Sequence, residues 1–324
     1  MRRIETSPKV WSGLQLRREE EDFLAGEEEN DDRFTRQGFN LHTFYSLCRG
    51  ERPAMSCPCP APQCSLETNS QPYLVLAPLR LERLCQQPVL YMYHDLLTEG
   101  EMALMKKTVL SRLEASTVLD HRQAREGRSR VSNERTQSSG WLLDGDDELV
   151  LKISKKVSLV TGLETFRPQF RGGNEWLEAE IWQMGLYGAG GHYLPHYDSF
   201  PLDNLPPNVW NGDVWVGNRI ATLMFYLSSL TGGFTAFPKL GVAARPRAGT
   251  AVFWYNLQQV QYSTVQYSTV FWYNLLQDGQ PSDLPLHGAC PALLGVKWVA
   301  NKWIREGAQI WRRSCPALHT GQTY

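Results

Sequence analysis

The spacing of apolar residues predicts two helices in the middle of the chain. Thr98 and Glu101 form a T-x-x-E capping box, and the helical pattern that follows continues to about Leu113. A second helix is predicted over about 146–159, where apolar residues recur at helical spacing on one face. Gly162 follows this segment and is a plausible residue to end the helix.

Apolar and alternating segments predict β-strands on both sides of these helices. PYLVLAPLR and QPVLYMYHDLL, at 72–80 and 87–97, are typical of extended chain. After Gly162 come LEAEIWQMGLY, RIATLMFYLSSL, GTAVFWYNL and VKWVANKW, which glycine- and proline-containing turns separate. Short helices followed by many short strands predict a β-sandwich or barrel with helices packed outside.

The first 75 residues differ from the rest of the chain. They carry acidic runs and the proline- and cysteine-rich stretch PAMSCPCPAPQCS, neither of which can bury much surface. We therefore predict mostly irregular chain over 1–75 and a folded domain over 76–316.

Charge and hydropathy exclude some classes of function. The 33 basic and 34 acidic residues leave a net charge of −1, so electrostatics offers no reason to expect nucleic acid as a partner. No apolar run of about 18 residues occurs, and we expect no membrane span. The N-terminus lacks the apolar centre of a secretory signal, so either the protein is cytosolic or its true N-terminus is missing.

One segment is duplicated. VFWYNL occurs at 252–257 and again at 270–275, with a tandem VQYST between the copies. An isolated offset of this kind is too short to be a solenoid period, which indicates a local duplication or an assembly error. The insertion spans about 258–275, and only one copy can occupy a given position in a sheet. We expect the other copy to loop out and expose apolar surface.

Two histidines and one aspartate form a candidate metal site. His196 and Asp198 lie two residues apart, a spacing that puts both side chains on one face of a strand. His287 is a third candidate, shortly before another strand-like stretch. Two histidines and a carboxylate are the ligands of the non-haem Fe(II) oxygenases, and they leave metal positions open for other ligands. The spacing alone is weak support, since a lone histidine is more often an ordinary surface or core residue.

Lys297 adds a second chemical feature ten residues after His287. A keto acid bound in an apolar barrel needs a cationic partner, because a lone buried charge is costly. Lys297 could equally be an exposed strand residue. Its large apolar neighbours Val296, Trp298 and Val299 favour a partly buried or paired lysine.

Ordered motifs from about Phe44 to Pro316 resemble the catalytic alpha subunit of collagen prolyl 4-hydroxylase. They are FYSLCRGE, YLVLAPLR, YHDLLTEGEM, SRVS, YGAGGHYLPHYD, GNRIATLMFYLSS, GGFTAFPKLG, GTAVFWYNL and HGACPALLGVKWVANKWIREGAQIWRRSCP. The resemblance implies an α+β, mainly β fold, with a double-stranded β-helix (jelly-roll) core at about 180–306 and flanking N-terminal helices. It makes 76–316 the catalytic domain.

The resemblance also implies an activity, hydroxylation of proline at C4 in collagen-like X-Pro-Gly sequences. The co-substrates would be 2-oxoglutarate and O₂, with release of succinate and CO₂, and L-ascorbate would act as reductant. His196, Asp198 and His287 would bind Fe(II), and Lys297 would bind the distal carboxylate of 2-oxoglutarate.

Four further side chains match family positions around this centre. Tyr187 matches a tyrosine that contacts 2-oxoglutarate, and Thr222 would line the same pocket. Tyr193 and Trp303 match aromatic residues near the substrate proline. Core packing remains the alternative for both of these aromatic residues.

The seven cysteines suit either a few disulfides in an oxidising compartment or a set of buried thiols. The resemblance implies the pairs Cys290–Cys315 and Cys48–Cys64. The remaining cysteines, Cys57, Cys59 and Cys85, have no assigned partner. Because the total is odd, at least one thiol stays free. The resemblance also implies that the protein is located in the endoplasmic reticulum lumen and that protein disulfide isomerase is its beta subunit.

The sequence departs from the family pattern at its N-terminus as well as at the duplication. No signal peptide is visible, and the stretch before residue 44 is too short for the family's dimerisation and peptide-binding regions, so we expect a truncated chain. Two alternatives stay open. One is another 2-oxoglutarate-dependent protein hydroxylase, and the other is a non-catalytic subunit disabled by the insertion.

Overall fold

The computed structural model describes residues 41–51, 63–86, 88–119, 129–131, 134–165, 179–200, 210–211, 214–256, 283–307 and 309. The chain divides into two units, 1–41 and 42–324, and only Leu41 of the first unit is described. The second unit contains the fold and the candidate site.

Among the described residues, four α-helices precede or interrupt the strands. They are α1 (Leu41–Cys48), α2 (Pro72–Leu76), α3 (Glu99–Val109, continued by a 3₁₀ turn at Leu110–Arg112) and α4 (Glu148–Thr161). Within the described part of the chain, none of the helices is long and apolar enough to cross a membrane.

Both predicted helices are confirmed, together with their ends. In α3 the Thr98 hydroxyl accepts from the Glu101 backbone N–H while the Glu101 carboxylate accepts from the Thr98 N–H, as a capping box requires. In α4 the Asp147 side chain accepts from the Leu149 N–H, and Gly162 ends the helix with a left-handed φ of 69°.

The prediction of extended chain at Pro72–Leu76 is wrong, because this segment forms α2. Pro72 lies in the first turn, where its fixed φ suits a helix and its missing N–H costs nothing. None of the helix side chains is buried, so its apolar residues do not mark a core strand. Helix α1 and strand β1 (Gln63–Glu67) also lie in the stretch that we predicted to be mostly irregular.

The remaining strands follow the predicted strand-rich pattern. They are β2 (Leu79–Cys85), β3 (Leu90–His94), β4 (Glu114–Ala115), β5 (Thr117–Leu119), β6 (Ser129–Val131), β7 (Ser138–Leu142), β8 (Trp182–Tyr187), β9 (Tyr193–His196), β10 (Trp210–Asn211), β11 (Val214–Trp215), β12 (Arg219–Tyr226), β13 (Thr231–Gly232), β14 (Thr235–Phe237), β15 (Val242–Ala244), β16 (Ala251–Tyr255), β17 (His287–Ala289), β18 (Ala292–Leu294) and β19 (Lys297–Arg305).

Two antiparallel sheets carry the site. The larger has the strand order β1-β2-β3-β16-β12-β19-β8-β7-β4, and the smaller has the order β15-β14-β17-β9. Side chains of the two sheets meet, since the Tyr226 hydroxyl of β12 donates to the Thr235 hydroxyl of β14 at 2.7 Å. The predicted class, mainly β with a double-stranded β-helix core and flanking helices, is confirmed.

Strand β12 shows why the larger sheet is buried on both faces. Alternate side chains point to opposite faces of a strand. Ala221, Leu223 and Phe225 join the apolar cluster that includes residues of α3 and α4. Met224 and Tyr226 point the other way and pack with residues of the smaller sheet. The helices thus cover one face of the sheet and leave the other face for the site.

The first copy of the duplicated segment occupies the larger sheet. Strand β16 lies between β3 and β12, and Trp254 pairs with Leu90 on one side and Thr222 on the other. The second copy, at 270–275, and the insertion at 258–275 lie outside the described residues.

Both predicted disulfide pairs are wrong where the structure can test them. Cys48 is bonded to Cys290 across a sequence separation of 242 residues, and Cys64 is a free, exposed thiol. The reason is that α1 packs against β17. The Phe44 ring lies 2.8 Å from where a Cβ on Gly288 would be, and the two bonded cysteines have Cα atoms 5.3 Å apart.

Of the remaining cysteines, the structure describes Cys85 alone. Cys85 is disulfide-bonded as well. The predicted partner Cys315 lies outside the described residues, as do Cys57 and Cys59.

Candidate active site

The three predicted metal ligands converge in the smaller sheet. His196 ends β9 and His287 begins β17, and the two are direct partners across that antiparallel pair. Asp198 follows two residues after His196. One ligand atom from each of these residues lies within 4.8 Å of the others. Nε2 of His196 is 3.8 Å from Oδ1 of Asp198, and Nε2 of His287 is 3.6 Å from its Oδ2.

Backbone carbonyls orient both imidazole rings. Nδ1 of His196 lies 2.8 Å from the Leu194 carbonyl oxygen, and Nδ1 of His287 lies 2.9 Å from the Pro285 carbonyl oxygen. A carbonyl only accepts, so each Nδ1 carries the proton. In the neutral ring Nε2 then has the lone pair, which is the state a metal ligand requires.

For His196 and Asp198 the electrostatics favours the forms that bind a metal. Burial, together with the neighbouring His287, holds the pKa of His196 well below its usual value, so the ring stays neutral. Burial opposes ionisation of Asp198, but the positive charge of Arg219 and the hydrogen bond from Thr222 favour the carboxylate, and the pKa of that carboxyl lies below its usual value. Two imidazoles and one carboxylate match the donor set of a facial Fe(II) site.

Aromatic rings surround the histidines. The Tyr193 ring stacks on His196 with centroids 3.6 Å apart, and the Trp254 and Phe237 rings lie 4.6 and 5.7 Å from the His287 ring. These contacts limit the motion of the ligating rings and keep the surroundings apolar.

Lys297 is buried at the start of β19 on the inner face of the larger sheet. Its side chain is 1% exposed, and its Nζ lies 5.2 Å from the Tyr187 ring centroid and 5.8 Å from that of Tyr226. Within the described part of the chain, this Nζ has no hydrogen-bond acceptor. Burial lowers the pKa of Lys297 to about 7.

An unpartnered buried ammonium group fits an anionic ligand, because an acceptor with negative charge would satisfy its donors and its charge together. Its ring neighbour Tyr226 packs with residues of the smaller sheet, which carries the triad, and its role as partner of the 2-oxoglutarate carboxylate stays a prediction. The alternative of an exposed strand residue is wrong for Lys297.

The structure brings the other predicted residues to the same region. Tyr187 pairs directly with Lys297 across β8 and β19. Thr222 donates to Oδ2 of Asp198 at 2.7 Å and thus contacts a metal ligand. Trp303 is the partner of Thr222 on β19 and carries the Arg219 guanidinium 3.8 Å from its ring centroid. The co-substrate and peptide roles of these residues stay predictions.

Several polar residues of the site were not predicted from the sequence. Glu180 binds two guanidinium groups, with Nε of Arg219 at 2.5 Å and Nη2 of Arg305 at 2.9 Å. Asn256 contacts the Thr222 hydroxyl. The alternation of side chains along a strand could have placed Asn256 on the same face as Trp254. The hydrogen-bond partner of Asn256, however, lies on another strand, and the local sequence does not show that contact.

Comparisons with known proteins agree with this chemistry. A family model described as the 2OG-Fe(II) oxygenase superfamily matches residues 182–305. Prolyl 4-hydroxylase subunit alpha-1 of Rattus norvegicus is 34% identical over 275 residues, and subunit alpha-3 of Homo sapiens is 33% identical over 276 residues. The matches cover 83% and 84% of this chain but 44% of each relative, so the chain spans less than half of their length.

Two solved structures are also similar. A viral collagen prolyl hydroxylase from Paramecium Bursaria Chlorella virus-1, in a 2OG complex, is 22% identical with a TM-score of 0.43. The match covers 67% of this chain and 95% of the viral chain. A Pseudomonas putida prolyl-4-hydroxylase is 17% identical with a TM-score of 0.38, and covers 68% and 93%.

The converging triad and the family match lead to one assignment. Fe(II) and 2-oxoglutarate are the metal and co-substrate that both imply. The chain belongs to the 2OG-Fe(II) oxygenases, with an intact His-Asp-His triad and a prolyl 4-hydroxylase-like sequence.

Proposed function

We propose that this protein is a procollagen-proline 4-dioxygenase. It would hydroxylate C4 of proline in collagen-like X-Pro-Gly peptides with 2-oxoglutarate and O₂, and release succinate and CO₂. The observation that carries the proposal is the His196–Asp198–His287 triad, half-buried at His196 and buried at the other two, with the buried Lys297 on the facing sheet, in a chain that resembles prolyl 4-hydroxylase alpha subunits.

The protein's own residues would bind and orient the reactants. Bound Fe(II), with 2-oxoglutarate and O₂, supplies the oxidising power for C–H hydroxylation. The Lys297 ammonium group would bind the distal carboxylate of 2-oxoglutarate, and the Tyr187 side chain beside it would contact the same ligand. Burial strengthens this ion pair, because no water competes for either charge.

Aromatic groups near the triad suit a proline substrate. The Tyr193 ring stacks on His196, and the Arg135 guanidinium lies 4.8 Å from the Tyr193 ring centroid. Trp303 is mostly buried, and its indole N–H has no acceptor among the described residues. We propose that Tyr193 and Trp303 contact the proline ring and the adjacent peptide.

Three further parts of the proposal rest on the family resemblance. L-Ascorbate would reduce the iron after unproductive turnover, and protein disulfide isomerase would be the beta subunit. Location in the endoplasmic reticulum lumen is supported by the Cys48–Cys290 bond, since disulfides persist in oxidising compartments.

The test is release of succinate from 2-oxoglutarate with a Pro-Pro-Gly repeat peptide, with 4-hydroxyproline measured in the same samples. We expect both products only when peptide is present, and neither from the His196→Ala variant. A wild-type protein that binds metal but forms neither product would support the non-catalytic alternative. Turnover with a different hydroxylated residue would support another protein hydroxylase of this superfamily.

A further inference from the structure

A buried hydrogen-bond chain holds the aspartate of the triad. The Thr222 hydroxyl donates to Oδ2 of Asp198 at 2.7 Å, and Nδ2 of Asn256 donates to the Thr222 hydroxyl oxygen at 3.0 Å. The three residues are 8%, 1% and 2% exposed, in the order Asp198, Thr222 and Asn256. Water therefore has little access to replace any of these bonds.

The direction of each bond follows from the donors and acceptors available. Thr222 has one hydroxyl proton and two acceptors within reach, Oδ2 of Asp198 at 2.7 Å and Oδ1 of Asn256 at 3.1 Å. A bond to an ionised acceptor is shorter and stronger than a bond to a neutral one, so the proton goes to Asp198. The amide Nδ2 of Asn256 then donates to the hydroxyl oxygen and keeps that proton directed at the carboxylate.

The two supporting residues are placed by backbone pairing, whereas the aspartate is not. Thr222 lies inside β12, where it has Trp254 on one neighbouring strand and Trp303 on the other. The backbone N–H of Asn256 donates to the Ile220 carbonyl at 2.9 Å. Asp198 lies beyond the end of β9, so its side chain needs an external group to set the orientation of the carboxylate.

We propose that Asn256 and Thr222 are positioning residues for the metal-binding carboxylate of Asp198. Asn256 orients the Thr222 hydroxyl, which in turn restrains rotation of the carboxylate and keeps it directed at the metal position. The inference goes beyond the proposed function, because it concerns metal binding and needs neither the peptide nor turnover.

The first experiment measures Mn(II) affinity of the full chain by calorimetric titration. We expect Thr222→Val and Asn256→Ala each to lower the affinity by about 10- to 100-fold, as loss of an outer-shell partner typically does. Thr222→Ser retains the hydroxyl and should retain wild-type affinity. Thr250→Val is the matched control, because Thr250 is a fully buried threonine whose hydroxyl donates to the Arg247 carbonyl and not to a triad residue.

A double-mutant cycle tests whether the two residues act in series. If Asn256 acts only through the Thr222 hydroxyl, Asn256→Ala should cost no further Mn(II) affinity on a Thr222→Val background. Independent, multiplicative losses would refute the chain. The visible spectrum of the Co(II)-loaded variants gives a second readout, since a reoriented carboxylate changes the ligand field and a merely less stable fold does not.

Two results would overturn the proposal. One is wild-type Mn(II) affinity in both single variants, and the other is an equal loss in Thr250→Val. If Thr222→Val does not fold, the comparison of Asn256→Ala with Thr222→Ser tests the proposal. Only Asn256→Ala disturbs the direction of the hydroxyl proton, so only Asn256→Ala should lower the Mn(II) affinity. Metal binding without any proline hydroxylation would count against the proposed function and leave this inference intact.

Discussion

Replacing Lys297 by methionine should stabilise the metal-free protein while abolishing binding of 2-oxoglutarate. Lys297 is 1% exposed and its ammonium group has no acceptor among the described residues. Burial of an unpaired charge is unfavourable, and methionine has a similar length without the charge. The residue would thus be retained for its ligand at a cost in stability.

The size of the effect follows from the pKa. Burial lowers the pKa of Lys297 from 10.5 to about 7. Between these values the unfolded chain binds more protons than the folded protein, so stability rises with pH in that window. The unfavourable contribution is about 5 kcal/mol well below pH 7, about 4 kcal/mol at pH 7 and about 2 kcal/mol at pH 9, and it vanishes above pH 10.5.

The assay is urea unfolding of metal-free wild type and Lys297→Met at pH 7 and pH 9. We expect the variant to gain about 4 kcal/mol at pH 7 and about half of that at pH 9. Lys302→Met is the control on the same strand. Lys302 is equally buried, but its Nζ lies 3.1 Å from Oδ1 of Asp144, so its loss leaves a carboxylate unpaired and should destabilise by about 3 kcal/mol.

Binding of the co-substrate provides the second half of this prediction. With metal present, 2-oxoglutarate should raise the melting temperature of wild type and leave that of Lys297→Met unchanged, because only bound ligand produces a shift. A variant that is less stable than wild type at pH 7 would refute the reasoning, since it would show that the buried Lys297 is already paired. Equal ligand-induced shifts in both proteins would refute the binding role.

Three further changes test other parts of the structure. Gly288→Ala should weaken Mn(II) binding measured by titration, because the added Cβ would lie 2.9 Å from the Tyr193 carbonyl oxygen, between the strands that carry the two histidines. Gly100→Ala is the control: this helical position has open space around it, and the change should stabilise the folded protein by about 1 kcal/mol. Cys48→Ser with Cys290→Ser should lower the free energy of unfolding by about 2–5 kcal/mol, and an unchanged value in urea would show that the bond does not form. Deletion of residues 258–275 should raise solubility and iron affinity, and unchanged iron binding and melting temperature would contradict the view that the insertion competes for the sheet.

Local signals were sufficient for the helices and for the identity of the metal ligands. The capping box at Thr98 and the left-handed glycine at Gly162 act within one helical turn, so their effect does not depend on the rest of the fold. His196 and Asp198 are two residues apart, and this spacing is enough to put them on one side of the chain. A short apolar run without such signals misled us at Pro72–Leu76, which forms an exposed helix.

By itself, therefore, the sequence determined the local elements, the ligand types and the class of chemistry. The tertiary structure alone decided which distant groups meet: His287 beside His196, Cys48 on Cys290 rather than Cys64, and Asn256 behind Thr222. Each of these contacts depends on strand register or on helix packing across the sheets, because side chains far apart in sequence meet only when many backbone pairs have set the order of the strands. No local pattern contains that information.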